Sequence, residues 1–157
     1  MSNTADKPIT IGVISDTHGL LRPAAVDALQ GVDHILHAGD VGDIHVLDAL
    51  RMIAPVIAIR GNVDVSGACA ILPPTEAVEI KGRLFYLLHN LEHLDISPHA
   101  AGIAAVIFGH THRAEIRHDN VLYLNPGSAG PRRFDLPITV AKIVIDDGEL
   151  IARIIPI

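Results

Sequence analysis

The sequence predicts an α/β fold, a layered α-β-β-α sandwich in which two mixed sheets pack face to face with helices outside. Three observations carry this. Short β-branched runs alternate with amphipathic segments up to residue 60, the pattern of βαβ units with parallel pairing. Beyond residue 70, strands follow one another through tight turns, which reads as an antiparallel addition. Apolar residues make up 49% of the 157 and charged residues 19%, so the chain can bury a core; aromatics, at 3%, leave that core to Val, Ile, Leu and Ala. The length suits a single domain, 1–157, with residues 1–8 as a flexible N-terminal tail.

ITIGVIS (9–15) is a buried strand ended by Asp16. RPAAVDALQG follows as a helix, with Pro23 near its start, Val26 and Leu29 on its apolar face and Gly31 as its stop. HILHAG (34–39) is a second strand, DIHVLDALRMIA (43–54) a second helix and PVIAIR (55–60) a third strand. EAVEIKGRLFYLLH gives two strands joined at Lys81-Gly82, and a polar stretch to about Ile103 is expected to be part helix. AAVIFG, AEIRHDNVLYLN and the segment from Ile138 to Ile157 supply the remaining strands, with turns at 118–120 and 146–148.

Composition narrows the function classes. No apolar stretch reaches the roughly 18 residues of a membrane span, and the start lacks the pattern of a secretory signal. The single Cys69 cannot form an internal disulfide, so a cytoplasmic location is expected. A net charge of −6 lacks the basic footprint of a nucleic-acid backbone binder.

FGHTH (108–112) carries two histidines around one threonine. With ten histidines in the chain, chance alone gives roughly 0.6 such pairs, so the pair decides nothing by itself. Its context does. Potential ligands recur where strands run out: Asp16 and His18 after the first, Asp40 after the second, Asn62 after the third, His89 after the fifth, His110 and His112 after the sixth. In open α/β sheets the carboxyl ends of parallel strands line one crevice, so these donors should converge. Carboxylate can bridge two cations while imidazole and amide oxygen complete a transition-metal site. Two carboxylates and a hydroxide against two divalent cations would leave about one positive charge, a cationic pocket in an acidic protein.

In this order SDTHG, AGD, RGNVD, a lone His after an apolar strand and GHTH resemble the calcineurin-like metallophosphoesterase superfamily, and NPGS at 125–128 narrows the resemblance to its small single-domain phosphodiesterase branch. The resemblance runs from about Ile9 to Ile157. It implies a β-sandwich flanked by helices and two divalent cations, Mn first, with Fe, Ni, Co or Zn suited by the same donors. It further implies that Asp16, His18 and His112 hold one cation, that Asn62, His89 and His110 hold the other, and that Asp40 bridges them. A metal-bridged hydroxide then attacks phosphorus, so that Asp40, Asn62 and His110 act through it in catalysis. The implied substrate is a small phosphodiester, with phosphomonoesters second.

The chain departs from the family pattern twice. Many members have a His directly after the motif Asn, where this chain has Val63. An apolar valine cannot donate a proton, so the leaving group must take one from water or another histidine; His93, four residues past His89, is the candidate. His89 is followed by Asn90 where relatives commonly carry glycine.

Asp64 is expected to support the site by hydrogen bonding and Ser128 to lie in a loop beside it, while Arg132 and Arg133 are either a solvated pair or a phosphate dock. His34, His37, His45, His99 and His118 have no motif around them and read as structural or surface residues. The competing function is a scaffold for protein binding on the same fold, resembling the retromer subunit of vesicle sorting, in which the ligand set is degraded. A nuclease ranks lower. A homo-oligomer is left open, and neither membrane nor nucleic-acid polymer is expected as a partner.

Overall fold

The short apolar runs form strands whose order the connections dictate. In a computed structural model that describes residues 7–157, Ile9–Ile14 (β1), His34–His37 (β2) and Val56–Ala58 (β3) pair in parallel, joined by helices Pro23–Ala28 (α1) and Ile44–Arg51 (α2). The tail expected over residues 1–8 lies almost wholly outside the described residues. α2 begins one residue later than expected because Asp43 caps it, Oδ1 accepting the His45 N–H at 2.9 Å.

Thr75–Ile80 (β4), Arg83–Leu88 (β5), Ile103–Ile107 (β6), Glu115–Asp119 (β7) and Val121–Asn125 (β8) form a second sheet in the order β4-β5-β6-β8-β7. Thr139–Asp146 (β9) and Glu149–Pro156 (β10) return to the first, whose order is β10-β9-β1-β2-β3. Both sheets are mixed.

The antiparallel reading of the second half needs correction. The hairpins β4–β5, β7–β8 and β9–β10 are antiparallel, but β5, β6 and β8 run parallel. Residues 89–102 and 108–120 give the chain enough length to return to the starting edge, which parallel pairing requires. The helix expected before Ile103 is reduced to a 3₁₀ turn at Leu91–His93; Pro98 further on would interrupt a longer one.

Three apolar clusters mark the layers. Ile11, Val13, Leu36 and Ile143 of the first sheet meet Phe85, Leu87, Ile107 and Leu124 of the second between the sheets. Leu29, Leu47 and Leu50 of the helical segments cover Ile14, Ile35 and Val140 on the outer face of the first. Leu91 and Leu94, around the 3₁₀ turn, pack on Val106 and Tyr86 outside the second. Because β1, β2, β3, β5 and β6 end at the same edge of the sandwich, the loops that follow them meet there.

Candidate metal centre

Asp16, two residues past the end of β1, is fully buried, and its two carboxylate oxygens have different neighbours. Oδ2 accepts from the Ser15 hydroxyl at 2.7 Å and from the His110 N–H at 3.2 Å, which leaves Oδ1 turned to the centre. His112 Nε2 lies 3.4 Å from Oδ1, His89 Nε2 3.7 Å and His18 Nε2 4.0 Å. Asp40 is oriented the same way: Oδ1 accepts the Val63 N–H at 3.0 Å, while Oδ2 lies 3.2 Å from His89 Nε2 and 3.6 Å from His18 Nε2. His89 Nδ1 is 2.7 Å from the Ala38 carbonyl, which places its proton on Nδ1 and leaves the Nε2 lone pair facing both carboxylates.

Two donor groups result, Asp16 with His18 and His112, and Asp16 with Asp40 and His89, each with ligand atoms within 4.8 Å of one another. Asp16 Oδ1 therefore belongs to both groups, and Asp40 Oδ2 faces a histidine of each.

The donor set fits cations on a second count. Asp16 Oδ1, His18 Nε2 and His89 Nε2 are buried and, among the described residues, find no hydrogen-bond partner. Buried polar atoms left so cost about 1–3 kcal/mol each, a penalty that coordination removes. Neutral imidazole and carboxylate are the donors that zinc-like and manganese-like ions accept.

Protonation follows the same crowding. Burial lowers the His18 imidazole below its ordinary value, against Asp40 and Asp16, and Arg133 and His112 push the same way. Burial also opposes charge on His89, but Asp40, Asp16 and the Ala38 carbonyl outweigh it and raise that group. For Asp40 burial pushes upward, and His89, the Val63 N–H and His18 together bring the carboxyl below its usual range.

Asn62 and His110 stand exposed at the mouth, with His110 Nδ1 3.3 Å from Asn62 Oδ1 and the His110 ring edge-on to His89 at 5.3 Å. Glycines let these turns close: a Cβ on Gly61 would strike Asp40 Oδ1, and one on Gly109 would strike Ser15 Oγ and fall 2.7 Å from Asp16 Oδ2.

Asp64 is buried and accepts three backbone N–H bonds, from Val41 at 3.0 Å and from Gly42 and Gly61 at 2.9 Å, so it ties the turn after β2 to the turn after β3. Ser128 Oγ donates to the Asp16 carbonyl at 3.1 Å. The arginine pair divides. Arg132 donates to the Leu136 carbonyl within its own loop, while Arg133 lies close enough for its charge to act on His18. His93 lines a cavity beside the centre together with His89 and His110.

Ser15 and Thr17 escaped the sequence reading because single hydroxyls carry no pattern. His37, set aside as structural or surface, is fully buried: Nδ1 accepts the Gly39 N–H at 3.1 Å and Nε2 meets Thr17 Oγ1 at 3.0 Å, joining the turns that hold Asp16 and Asp40. Burial outweighs the pull of Asp16 and Asp64 and lowers His37 to about 4, so it is neutral and carries its proton on Nε2.

A family model, the calcineurin-like phosphoesterase superfamily domain, matches residues 9–148. A protein of Methanocaldococcus jannaschii described as a probable metallophosphoesterase is 37% identical over 161 residues, covering 94% of this chain and 81% of its own. The solved structure of a novel archaeal phosphodiesterase superposes with a TM-score of 0.79 at 25% identity, over 95% of this chain and 100% of that one. Vacuolar protein sorting 29 of Cryptosporidium parvum shares the fold, with a TM-score of 0.76 at 17% identity over 96% of this chain and 98% of that one.

Proposed function

We propose, for a chain that belongs to the calcineurin-like phosphoesterase superfamily, the hydrolysis of small phosphodiesters, and of phosphomonoesters second, by attack of water on phosphorus at a two-cation centre. The observation that carries this reading is the pair of Asp/His groups meeting at Asp16 Oδ1, a binuclear metal site of the kind that phosphoester hydrolysis uses. When bound, the cations supply charge to receive a phosphate ester and the Lewis acidity that makes water a nucleophile near neutral pH.

Asp16, His18 and His112 would hold the first cation, Asn62, His89 and His110 the second, with Asp40 between them. Mn is the first expectation, with Fe, Ni, Co or Zn accepted by the same donors. Ser15 and the His110 N–H fix which oxygen Asp16 presents, and Ala38 fixes which nitrogen His89 presents. Asp64 and Ser128 hold the turns in place. Arg133 is the side chain we assign to meet a phosphate oxygen, and Arg132 we assign to its own loop. Among the described residues no helix is long and apolar enough to cross a membrane. A single domain and a cytoplasmic location complete the reading.

The scaffold alternative draws on the likeness to vacuolar protein sorting 29, which at 17% identity concerns the fold alone. The two clustered Asp/His groups support catalysis over it. Purified protein loaded with Mn, Ni, Co or Zn should hydrolyse bis(4-nitrophenyl) phosphate, and Asp40→Ala should abolish turnover. Absence of turnover with every metal would overturn the proposal.

A further inference from the structure

On the His89 side of the centre lies a cavity of about 500 Å³. Asn62, His89 and His110 of the candidate donor set line it, together with Arg60, Tyr86, His93 and Asp95. That volume falls within the range of small-molecule sites, about 300–1,000 Å³, and exceeds what a bare phosphate needs. Beyond the donors the wall carries one charge of each sign, Arg60, whose Nη1 donates to the Ala70 carbonyl at 3.1 Å, and Asp95, a balance that suits an uncharged group rather than a second phosphate. Among the described residues, Tyr86 is the one aromatic residue of the lining.

Hydrolysis of a diester frees an alcohol whose oxygen must gain a proton as its bond to phosphorus breaks. Val63, beside Asn62, is apolar and is not part of the cavity wall. Arg60 keeps its protons. Outside the candidate donor set, His93 is the wall residue of the type suited to hand over a proton near neutral pH.

Local structure holds His93 in place. It closes the 3₁₀ turn Leu91–His93, whose start is capped by Asn90: Oδ1 accepts the Glu92 N–H at 3.0 Å and the Asn90 carbonyl accepts the His93 N–H at 3.0 Å. Leu91 and Leu94 anchor the turn beside Tyr86. The two positions at which the sequence departs from its family pattern are thus linked: 63 lacks a donor, and 90 caps the turn that carries one.

We propose that this cavity seats the alcohol-bearing arm that leaves from a phosphodiester, with Tyr86 against its apolar face, and that His93 protonates the departing oxygen. The inference rests on the phosphoesterase reading and deepens it. Water oxygen forms the new bond to phosphorus as the bond to the ester oxygen breaks. The electron pair of the broken bond stays on the ester oxygen, which takes the His93 proton. The proton lost by the attacking water passes to solvent, and His93 regains one from solvent, leaving a phosphomonoester and an alcohol.

Two diesters that differ in leaving group, bis(4-nitrophenyl) phosphate and diphenyl phosphate, test this, because only the poorer leaving group depends strongly on an acid. His93→Gln should lower both rates, and the diphenyl rate by about 10²-fold more. Asn90→Gly should move the ratio in the same direction by a smaller factor, and Tyr86→Ala should raise KM for diphenyl phosphate several-fold. Equal losses on both esters, or none, for His93→Gln overturn the proton-transfer role. No turnover of either ester by the metal-loaded wild type would instead sink the phosphoesterase reading. Independently of turnover, phenol added to zinc-loaded protein should shift the ring resonances of Tyr86 and His93 in NMR spectra; unmoved resonances overturn the seat.

Discussion

At one end of the sandwich Lys81, Asn120 and Asp147 turn three hairpins with φ of 50°, 57° and 51°; at the other, Asp16, His18, Asp40, His110 and His112 take φ of 56°, 47°, 54°, 75° and 63°. Both sets occupy the left-handed region that side chains other than glycine enter at a cost of about 1–2 kcal/mol. The hairpin residues lie at or near the surface and answer only to their own turns. Most of the ligand-end residues are buried and are held by bonds from other loops: the Asp16 N–H to the Gly39 carbonyl and the His18 N–H to the Asp40 carbonyl, both 3.0 Å, and the His110 N–H to Asp16. The same backbone state is local turn chemistry at one end and imposed strain at the other.

That contrast predicts large effects at the ligand end and small ones at the hairpins. Asp40→Ala should lower kcat/KM on an aryl diester by at least about 10³-fold, roughly 4 kcal/mol, with metal content measured in parallel. A fall of less than tenfold would break the comparison at its strongest point.

The pH dependence comes next. His37 is lowered to about 4 in the folded protein against an ordinary 6.5, so below pH 6.5 the unfolded chain binds a proton that the folded chain refuses. The stability tied to its neutrality is fully present above pH 6.5 and is lost as pH falls towards 4, by roughly 3 kcal/mol. Urea denaturation of metal-free protein at pH 7.5, 6 and 4.5 should show this slope, and His37→Gln should flatten it.

Asp64→Ala should destabilise by about 3 kcal/mol, because three backbone N–H groups lose their acceptor. Thermal or chemical denaturation would measure it, and a loss under 1 kcal/mol would mean that the two turns hold without the carboxylate. At the hairpin end, Asp147→Gly should change stability by no more than roughly 0.5 kcal/mol, with diester hydrolysis unaltered. A larger effect would mean that the hairpin tips are not local.

The ligand end was more legible in sequence than the packing around it. Asp16, His18, Asp40, His89 and His112 each follow an apolar run, and a short run that must end in a turn announces itself. Strand direction is not written that way: β6 (IAAVI) is buried almost throughout, and such a strand reads the same whether its neighbour runs with it or against it. The support of the site was legible only in part: a hydrogen-bonding role is expected of Asp64 from its place after Asn62, but its partners, and the role of His37, are not. Asp64 works through three backbone partners, and His37 through Gly39 and Thr17, contacts that only the folded loops create. Asn62 and His110, alike in sequence to the other donors, are exposed and meet each other at 3.3 Å, a difference in burial that no motif records.

Gly61 and Gly109 set how this protein can change by mutation. A methyl group at Gly61 collides with Asp40 itself, and one at Gly109 with Ser15, which orients Asp16, so single substitutions there meet immediate loss. The wall of the cavity away from the donors has no such constraint: Arg60 and Asp95 are exposed, and their replacement disturbs no buried carboxylate. New substrates are therefore reachable through the wall at 60, 86 and 95 while the donor turns and His93 stay fixed, and a library restricted to those three positions is the shortest route to altered selectivity.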